Sequence, residues 1–394
     1  MSESHDQPDL NRRRLLTGTG LLAAGAILSS GAAAQFSCPQ PRPAWDKPFT
    51  GEIPDSVPAG YNILLITTDQ EHYFDRYPFP VPGRERLIKT GTSFTRHHIN
   101  TAVCTPSRSV MYTGLHMPQT RMFDNLGLPW MPWDLNPDLS IGHKMRQMGY
   151  YSAYKGKWGK WHLTKELEDP FDNVASHDPG DIRTDKLHQK MLEYGFDDYH
   201  GVGDIIGLHK GGYYYDGVIA SQAVNWLRSK GRRMTDQKQP WFMAVNLVNP
   251  HDVMFIDTDA PDERVQWRKP LNEDNAMTPT QPPENTLYQQ SWSGIPLPES
   301  CHQPFDEPGR PPAHGEYQRA RAAMVGQFPD EDRRWRKLQD YYFNCIRDCD
   351  RNLETILDEL DALNLTEKTI IVFTADHGEL GGYHQMHGKG SSGS

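Results

Sequence analysis

The chain has 394 residues, enough for one large α/β domain or two ordinary ones, and its formal net charge is −10. This acidic balance argues against a nucleic-acid groove, and it means that an anionic substrate would need a locally basic pocket. The five cysteines do not provide a disulfide framework. After the N-terminal segment, no stretch reaches the ~18–20 apolar residues of a membrane helix, so we expect no stable membrane span.

The first 34 residues have the three parts of a secretory signal. A basic stretch at residues 11–14 precedes two leucines, residues 17–28 form a Gly- and Ala-rich apolar run, and residues 32–34 provide an Ala-x-Ala cleavage site. The paired arginines ahead of the leucines are typical of a twin-arginine signal peptide, which we therefore predict at residues 1–34. We expect the twin-arginine (Tat) machinery to export the folded protein to the periplasm or out of the cell.

After a Pro-rich linker at residues 35–58, short apolar runs alternate with segments of helical spacing. The runs have the composition of buried parallel strands and are predicted at residues 62–66, 94–99, 150–154, 241–248 and 368–373. Helical spacing occurs at residues 139–148, 218–227 and 338–363. This alternation indicates an α/β fold with a mostly parallel central sheet flanked by helices. Residues 253–333 lack periodicity, which is typical of an active-site insertion.

Three of the predicted strands end in polar residues. Asp69 and Gln70 follow the first strand, His251 follows the strand at 241–248, and the last strand leads into Asp376 and His377. Open α/β sheets bind ligands at the carboxyl ends of their strands, so one shared site is expected. Carboxylate and amide oxygens with one imidazole nitrogen suit a divalent cation, although Asp-Gln after a strand is also typical of a simple helix cap. A lone His after Asn-Pro is by itself more typical of a surface residue than of a catalyst.

The most informative motif is Cys-Thr-Pro-Ser-Arg at residues 104–108, with Thr-Gly at 113–114. It predicts a loop that enters a helix, with Ser107 as the cap and Cys104 near the free N–H groups of the helix start. The helix start therefore favours a nucleophile that reacts with an anionic substrate. The alternative is a buried structural cysteine.

Cys-x-Pro-Ser-Arg followed by Thr-Gly resembles the signature of the sulfatase family, and the resemblance covers roughly residues 60–390. In that family the cysteine is oxidised by a formylglycine-generating enzyme, and the hydrate of the resulting formylglycine attacks the sulfate ester. The resemblance implies that Cys104 is the precursor of this nucleophile and that Arg108 holds the hydrate. It also implies that the substrate is a small-molecule or carbohydrate sulfate ester.

The same resemblance assigns roles to the polar strand ends. It implies one divalent cation, Ca²⁺ by family habit, with Mg²⁺ and Mn²⁺ as alternatives. Its ligands would be Asp69, Gln70, Asp376, His377 and the modified Cys104. His251 matches the general acid that protonates the leaving oxygen, and Lys389 matches a lysine that contacts the sulfate.

The second signature of the family, Gly-Lys-Trp-His, occurs at residues 159–162, directly after a first Gly-Lys-Trp at 156–158. We assign the anion-binding pair to Lys160 and His162, since positions i and i+2 of an extended segment face the same way. The family strand usually runs into a single copy, and counting from the strand would instead place Lys157 at the lysine position. On our assignment, Lys160→Ala should weaken catalysis far more than Lys157→Ala.

The catalytic domain is predicted at residues 59–390, with a short tail at 391–394. Proteins with this signature continue past the position of Lys389 with further strands and a smaller antiparallel C-terminal subdomain, so we expect that subdomain to be missing, at a cost in stability. Two alternatives to an active sulfatase stay open. One is a phosphonate monoester or phosphodiester hydrolase of the same alkaline phosphatase-like superfamily, and the other is an inactive, truncated sulfatase-like protein.

Overall fold

The computed structural model describes residues 60–125, 136–157, 185–200, 210–266 and 280–390. Within these ranges a single β-sheet is built from β1 (Asn62–Asp69), β2 (Tyr151–Gly156), β3 (Asp198–His200), β4 (Trp241–Pro250) and β5 (Thr369–Ala375). In space the strands follow the order β3-β2-β4-β1-β5, and every neighbouring pair is parallel. The sheet therefore has the mostly parallel arrangement that the sequence pattern predicts.

Helices connect and cover the strands. In the described ranges they are α1 (Pro82–Thr90), α2 (Cys104–Thr113), α3 (Met117–Thr120), α4 (Ile141–Gln147), α5 (Asp185–Glu193), α6 (Gly211–Trp226), α7 (Arg232–Asp236), α8 (Pro312–Val325) and α9 (Asp332–Ala362). A π-helical segment joins α6 to α7 at Leu227–Gly231. Short 3-10 turns are found at Pro137–Leu139, His251–Phe255, Thr366–Lys368 and Tyr383–Gln385.

Each face of the sheet has its own hydrophobic core. Leu64 and Ile66 of β1 pack on one face, where α6 contributes Ile219 and α9 supplies much of the remaining surface. Leu65 faces the other side and belongs to a cluster with Tyr112 of α2 and Met145 of α4. Successive residues of a strand point to opposite faces, so one continuous apolar run supplies both cores. Helices on both faces confirm the α/β prediction.

Two local predictions differ from the structure. Residues 94–99 do not form a strand, because their few apolar side chains find no core and Phe94 is 77% exposed. The described residues of the range 253–333 are largely irregular, as expected, but they contain helix α8. Among the described helices, none is both long and apolar enough to cross a membrane.

The strand order brings the polar strand ends together. Strands β4, β1 and β5 are adjacent, and in the register Asp69 lies opposite Pro250 of β4 while Thr68 lies opposite Ala375 of β5. The residues that follow these strands, His251 and Asp376, thus emerge at the same carboxyl edge as Asp69. This edge is where open parallel sheets place their ligands.

Candidate active site

Two buried carboxylates from neighbouring strands form the base of the site. Asp69 ends β1, and Asp376 follows β5 and accepts a hydrogen bond from the backbone N–H of Gln70 at 3.1 Å. The Arg108 guanidinium lies between them, with Nε 2.8 Å from Asp376 Oδ2 and Nη2 3.2 Å from Asp69 Oδ2. Its Nη1 donates to Asn246 Oδ1 of β4 at 3.0 Å. This fork of charge-assisted hydrogen bonds fixes the positions of both carboxylates.

Cys104 is the first residue of α2, where the helix dipole and free N–H groups favour negative charge. Its Sγ is 2.7 Å from Lys389 Nζ, 3.1 Å from His377 Nε2 and 3.6 Å from Asp69 Oδ1. The side chain is fully buried. A residue at this position is therefore in contact with a carboxylate, an imidazole and an ammonium group at once.

The prediction that Ser107 caps this helix is wrong. The helix begins at Cys104, and the Ser107 hydroxyl donates instead to the backbone carbonyl of Asp376. The backbone N–H of Thr105 donates to Asn125 Oδ1 at 2.8 Å. These two hydrogen bonds hold the helix start against the end of β5 and against the segment that follows α3.

Two lysines converge on Asp69. Lys157 directly follows β2 and places Nζ 2.5 Å from Asp69 Oδ2, and Lys389 Nζ is 3.5 Å from Asp69 Oδ1. Burial alone would raise the pKa of Asp69, but Lys157 and Lys389 outweigh it, so the pKa of this carboxyl lies well below its usual range. The concentration of positive charge suits an anionic substrate in a protein that is acidic overall.

The same charges act on the thiol. Burial and the Asp69 carboxylate oppose ionisation of Cys104. The positive charges of Lys389 and Lys157, together with His377, outweigh them and lower the pKa of the thiol from its ordinary value. Burial raises the pKa of the other cysteines in the described ranges, which are Cys301, Cys345 and Cys349. Cys104 is thus electrostatically distinct from the cysteines that only pack.

A set of donor atoms in the site fits a divalent cation. The ligand atoms of four buried residues all lie within 4.8 Å of one another, and these residues are Asp69, Cys104, Asp376 and His377. His377 Nδ1 lies 3.0 Å from the backbone carbonyl of Gly378. If that nitrogen carries the proton, Nε2 has a lone pair directed toward the cluster, as a metal ligand requires.

Gln70 adds an amide oxygen to this set. Its Nε2 donates to Glu379 Oε2 at 2.5 Å, and its Oε1 is buried without a hydrogen-bond partner among the described residues. A buried acceptor left in this state costs about 1–3 kcal/mol unless a ligand satisfies it. Oxygen donors with one imidazole nitrogen match the preferences of Ca²⁺, Mg²⁺ or Mn²⁺, so the residues present fit a divalent cation.

His251 is buried rather than at the surface. It is 1% exposed, and its Nε2 has no hydrogen-bond partner in the described part of the chain. Burial lowers the pKa of His251 well below its ordinary value, and the positive charges of Lys157 and Lys389 add to this effect. The imidazole is therefore neutral in the free protein, with one ring nitrogen available to a ligand.

The segment that carries Lys389 is packed in place. Tyr317 of α8 donates to the backbone carbonyl of Lys389 at 2.6 Å, and Lys389 itself is 8% exposed. The preceding Gly388 has a φ of 87° and lies against the Arg321 guanidinium, where an added Cβ would be 2.3 Å from Cζ. Helix α8, which belongs to the predicted insertion, thus positions a lysine of the site.

The sheet edge brings together the predicted site residues that lie in the described ranges, namely Asp69, Gln70, Cys104, Arg108, His251, Asp376, His377 and Lys389. Lys160 and His162 lie outside the described residues, which leave out 158–184. Lys157, which we set aside in favour of Lys160, contacts Asp69. The strand fixes its position, since its backbone N–H donates to the Asn246 carbonyl at 2.9 Å.

Sequence analysis did not single out three residues that support the site. Asn246 receives hydrogen bonds from Arg108 and, at 2.8 Å, from the Tyr112 hydroxyl. Glu379 orients the Gln70 amide. Tyr342 of α9 donates to the Gln70 carbonyl at 2.8 Å. Of the three, only Asn246 has a signal in the sequence, because it interrupts the apolar run of β4.

A parallel α/β sheet with this edge is the architecture of the alkaline phosphatase-like superfamily. Within it, the family model for sulfatases matches residues 61–393, and the chain belongs to the sulfatase family. This confirms the family that the Cys-x-Pro-Ser-Arg motif predicts.

Curated relatives are matched over most of this chain. It is 27% identical over 351 residues to the ulvan-active sulfatase of Formosa agariphila, an alignment that covers 86% of this chain and 55% of the relative. It is 23% identical over 336 residues to the choline-sulfatase of Rhizobium meliloti, covering 81% and 57% respectively. The chain thus spans little more than half the length of these relatives.

Solved structures share the fold. A 2-O GAG sulfatase aligns with a TM-score of 0.53 at 16% identity, covering 83% of this chain and 60% of that one. The phosphonate monoester hydrolase of Agrobacterium radiobacter aligns with a TM-score of 0.50 at 17% identity, covering 83% and 64%. These similarities confirm the fold, which hosts both kinds of activity.

Proposed function

We propose that this site hydrolyses a sulfate monoester, with residue 104 as the nucleophile. The observation that carries the proposal is the position of Cys104, buried at a helix start with Sγ in contact with Lys389 Nζ and His377 Nε2. Oxidation of Cys104 by a formylglycine-generating enzyme would supply a hydrated aldehyde, whose hydroxyl groups can attack sulfur and later release sulfate. A complete Cys-x-Pro-Ser-Arg motif supports this modification.

The cationic side chains bind and orient the substrate. Lys389 Nζ is in direct contact with position 104 and can stabilise negative charge on an oxygen there. Lys157 and Lys389 flank the same carboxylate, so a sulfate group at this edge would meet both ammonium groups where charge develops in the transition state. Arg108 fixes the two carboxylates at the base of the site through its ion pairs with Asp69 and Asp376.

The donor set would hold one divalent cation, most simply Ca²⁺, with Mg²⁺ or Mn²⁺ as alternatives. Its ligands would be Asp69, Gln70, Asp376, His377 and the modified residue 104. When bound, the cation supplies charge neutralisation for sulfate oxygens and lowers the pKa of a hydroxyl that it binds.

His251 is the proposed proton donor to the leaving oxygen. Burial and the two lysines keep this imidazole neutral in the free protein, but an anionic substrate would offset the positive field and raise the pKa of His251. A ring N–H can hydrogen-bond the leaving oxygen in either state, and the imidazolium can transfer a proton to it. Lys160 and His162, assigned from the motif alone, stay predictions.

We also propose that residues 1–34 direct export by the twin-arginine machinery, and that the substrate is a small-molecule or carbohydrate sulfate ester. The basic, apolar and Ala-x-Ala parts of the N-terminal segment support export. Residues 1–59 lie outside the described residues, so this proposal rests on the sequence.

The modification of Cys104 can be tested by mass spectrometry. Tryptic digestion should release residues 97–108 as one peptide, because no Lys or Arg lies between Arg96 and Arg108. We expect protein co-produced with a formylglycine-generating enzyme to yield a lighter, hydrazide-reactive form of this peptide. Turnover of an aryl sulfate should rise with the converted fraction.

Three outcomes would count against the proposal. Fully active protein that contains only the thiol peptide would exclude the formylglycine mechanism. Converted protein that hydrolyses a phosphonate monoester or phosphodiester faster than an aryl sulfate would favour the alternative hydrolase. Converted protein without turnover of either substrate would favour an inactive sulfatase-like protein.

The cation site has its own test. Asp376→Asn preserves the shape of the side chain but removes one anionic ligand, so bound Ca²⁺ should fall well below one equivalent while the far-UV circular dichroism spectrum is kept. The matched control is Asp358→Asn, whose carboxylate is exposed on α9 and pairs with Arg86. Equal metal content in both variants, measured by mass spectrometry of the element, would remove Asp376 from the ligands.

A further inference from the structure

The backbone of Gln70 adopts a conformation that is uncommon for a residue with a side chain. Its φ is 75°, in the left-handed region, directly after β1 ends at Asp69. This region costs free energy for a residue with a Cβ, so surrounding contacts must hold Gln70 there. Consecutive residues of a strand point to opposite faces, and a continued strand would therefore direct Gln70 away from the side of Asp69. The left-handed backbone breaks this alternation.

One buried hydroxyl group bridges the two ends of this turn. Tyr342 Oη donates to the Gln70 carbonyl at 2.8 Å and accepts the His72 backbone N–H at 2.9 Å. Both backbone groups lie beyond the last residue of β1, where strand pairing does not satisfy them. Burial raises the pKa of Tyr342 well above its ordinary value, so the hydroxyl keeps the proton that it donates. A single side chain of α9 thus fixes the backbone from Gln70 to His72.

The residue within the turn is connected to the same helix. Glu71 is buried, and its carboxylate accepts hydrogen bonds from Arg84 Nε at 2.8 Å and from Arg84 Nη2 at 2.5 Å. Arg84 also forms an ion pair with Asp350 at 2.8 Å, and Asp350 lies about two turns after Tyr342 on α9. Helix α9 therefore holds the segment 70–72 at two points, and neither point belongs to the proposed cation ligands.

The Gln70 amide is fixed at its nitrogen and open at its oxygen. Nε2 donates to Glu379 Oε2 at 2.5 Å, whereas Oε1 is buried without a hydrogen-bond partner among the described residues. With the backbone held by Tyr342 and the amide nitrogen held by Glu379, Oε1 is the atom of this side chain that remains available to a ligand.

We propose that Tyr342 is a positioning residue for the cation site. Its hydroxyl holds Gln70 in the left-handed conformation in which Oε1 is presented to the cation, and Tyr342 itself does not contact the cation. The inference rests on the proposed function, because it takes Gln70 as a cation ligand. It follows that the affinity for the cation depends on a hydroxyl group outside the donor set.

The test is a calorimetric titration of the full chain, converted at residue 104, with Ca²⁺ and in parallel with Mg²⁺ and Mn²⁺. Tyr342→Phe keeps the ring and removes the hydroxyl, and it should weaken cation binding by about tenfold, the order expected for one lost hydrogen bond. The matched control is Tyr341→Phe. This neighbouring tyrosine of α9 is equally buried, at 1% exposed, but its hydroxyl has no hydrogen-bond partner among the described residues. The control should bind the cation as the parent does.

Gln70→Ala separates positioning from a general structural effect. It should weaken cation binding by itself, and in its presence Tyr342→Phe should have little further effect, because the ligand through which Tyr342 acts has been removed. An equal loss from Tyr342→Phe with and without Gln70→Ala would overturn the positioning role.

Two further outcomes distinguish this inference from the proposed function. Equal affinities of Tyr342→Phe and Tyr341→Phe, with both folded by thermal melting and with Gln70→Ala weakened, would overturn the positioning role and leave the proposed function standing. Unchanged affinity in Gln70→Ala, or no binding of any of the three cations by the unsubstituted protein, would contradict the proposed cation site and the positioning role with it.

Discussion

Arg108→Ala is expected to lower the free energy of unfolding by about 3–5 kcal/mol, the range for removing one partner of a buried ion pair. The physical reason is that Arg108 is the shared partner of Asp69 and Asp376, and all three side chains are fully buried. The substitution leaves Asp376 without an opposite charge from Arg108 and removes the donor that fixes Asn246. Denaturant unfolding with an unchanged m-value would measure the loss.

The chain offers a matched control for this prediction. Arg86 of α1 also pairs with two carboxylates, Asp358 at 2.8 Å and Asp361, but those carboxylates are 75% and 55% exposed. Arg86→Ala should therefore cost only about 0–1 kcal/mol. Similar losses in the free energy of unfolding for the two variants would show that Arg108 does not stabilise the base of the site.

Lys157→Ala is expected to lower kcat/KM for a sulfate ester. The loss corresponds to about 2–4 kcal/mol of transition-state stabilisation, as for the loss of one charge-stabilising donor. This reverses the ranking that the sequence predicts, because the structure places Lys157 Nζ 2.5 Å from Asp69 Oδ2 in the site. The measurement is steady-state kinetics on protein in which residue 104 has been converted, with Lys160→Ala assayed in parallel.

The parallel assay separates the two copies of Gly-Lys-Trp. If the strand sets the register, Lys160→Ala should have a much smaller effect than Lys157→Ala. The opposite ranking would return the sulfate contact to the Lys-x-His pair. Lys230→Ala is a suitable control, because this lysine forms an ion pair with Asp198 at 2.7 Å that does not involve the site.

The sequence predicts the core of the site because its signals are local. The apolar runs that become β1, β4 and β5 are continuous and end in chemically unusual residues, and the rule for parallel sheets then gathers Asp69, His251 and Asp376 at one edge. The short motif around Cys104 likewise predicts the start of a helix, where the helix dipole favours negative charge.

The remaining parts of the site depend on contacts between distant segments. The choice between Lys157 and Lys160 depends on where β2 stops pairing with β4. A repeated Gly-Lys-Trp triplet does not indicate that position. Ser107 is a residue type that often caps helices. Its hydroxyl donates instead to the carbonyl of Asp376, which follows β5 far along the chain. In the sequence, Glu379 has no feature that distinguishes it from other acidic loop residues. Its role follows only from its contact with the Gln70 amide.

Glu379 links the proposed cation ligand Gln70 to the segment that carries Lys389. One oxygen of its carboxylate accepts the Gln70 amide, and the other accepts the backbone N–H of Gly388, the residue before Lys389. A cation that locks the Gln70 oxygen would restrict the same carboxylate that anchors the lysine segment. By thermodynamic reciprocity, an anion held by Lys389 would then tighten the cation to the same degree, so each would act as an effector of the other. A chelator would therefore weaken substrate binding through the peptide at Gly388, besides removing charge from the centre.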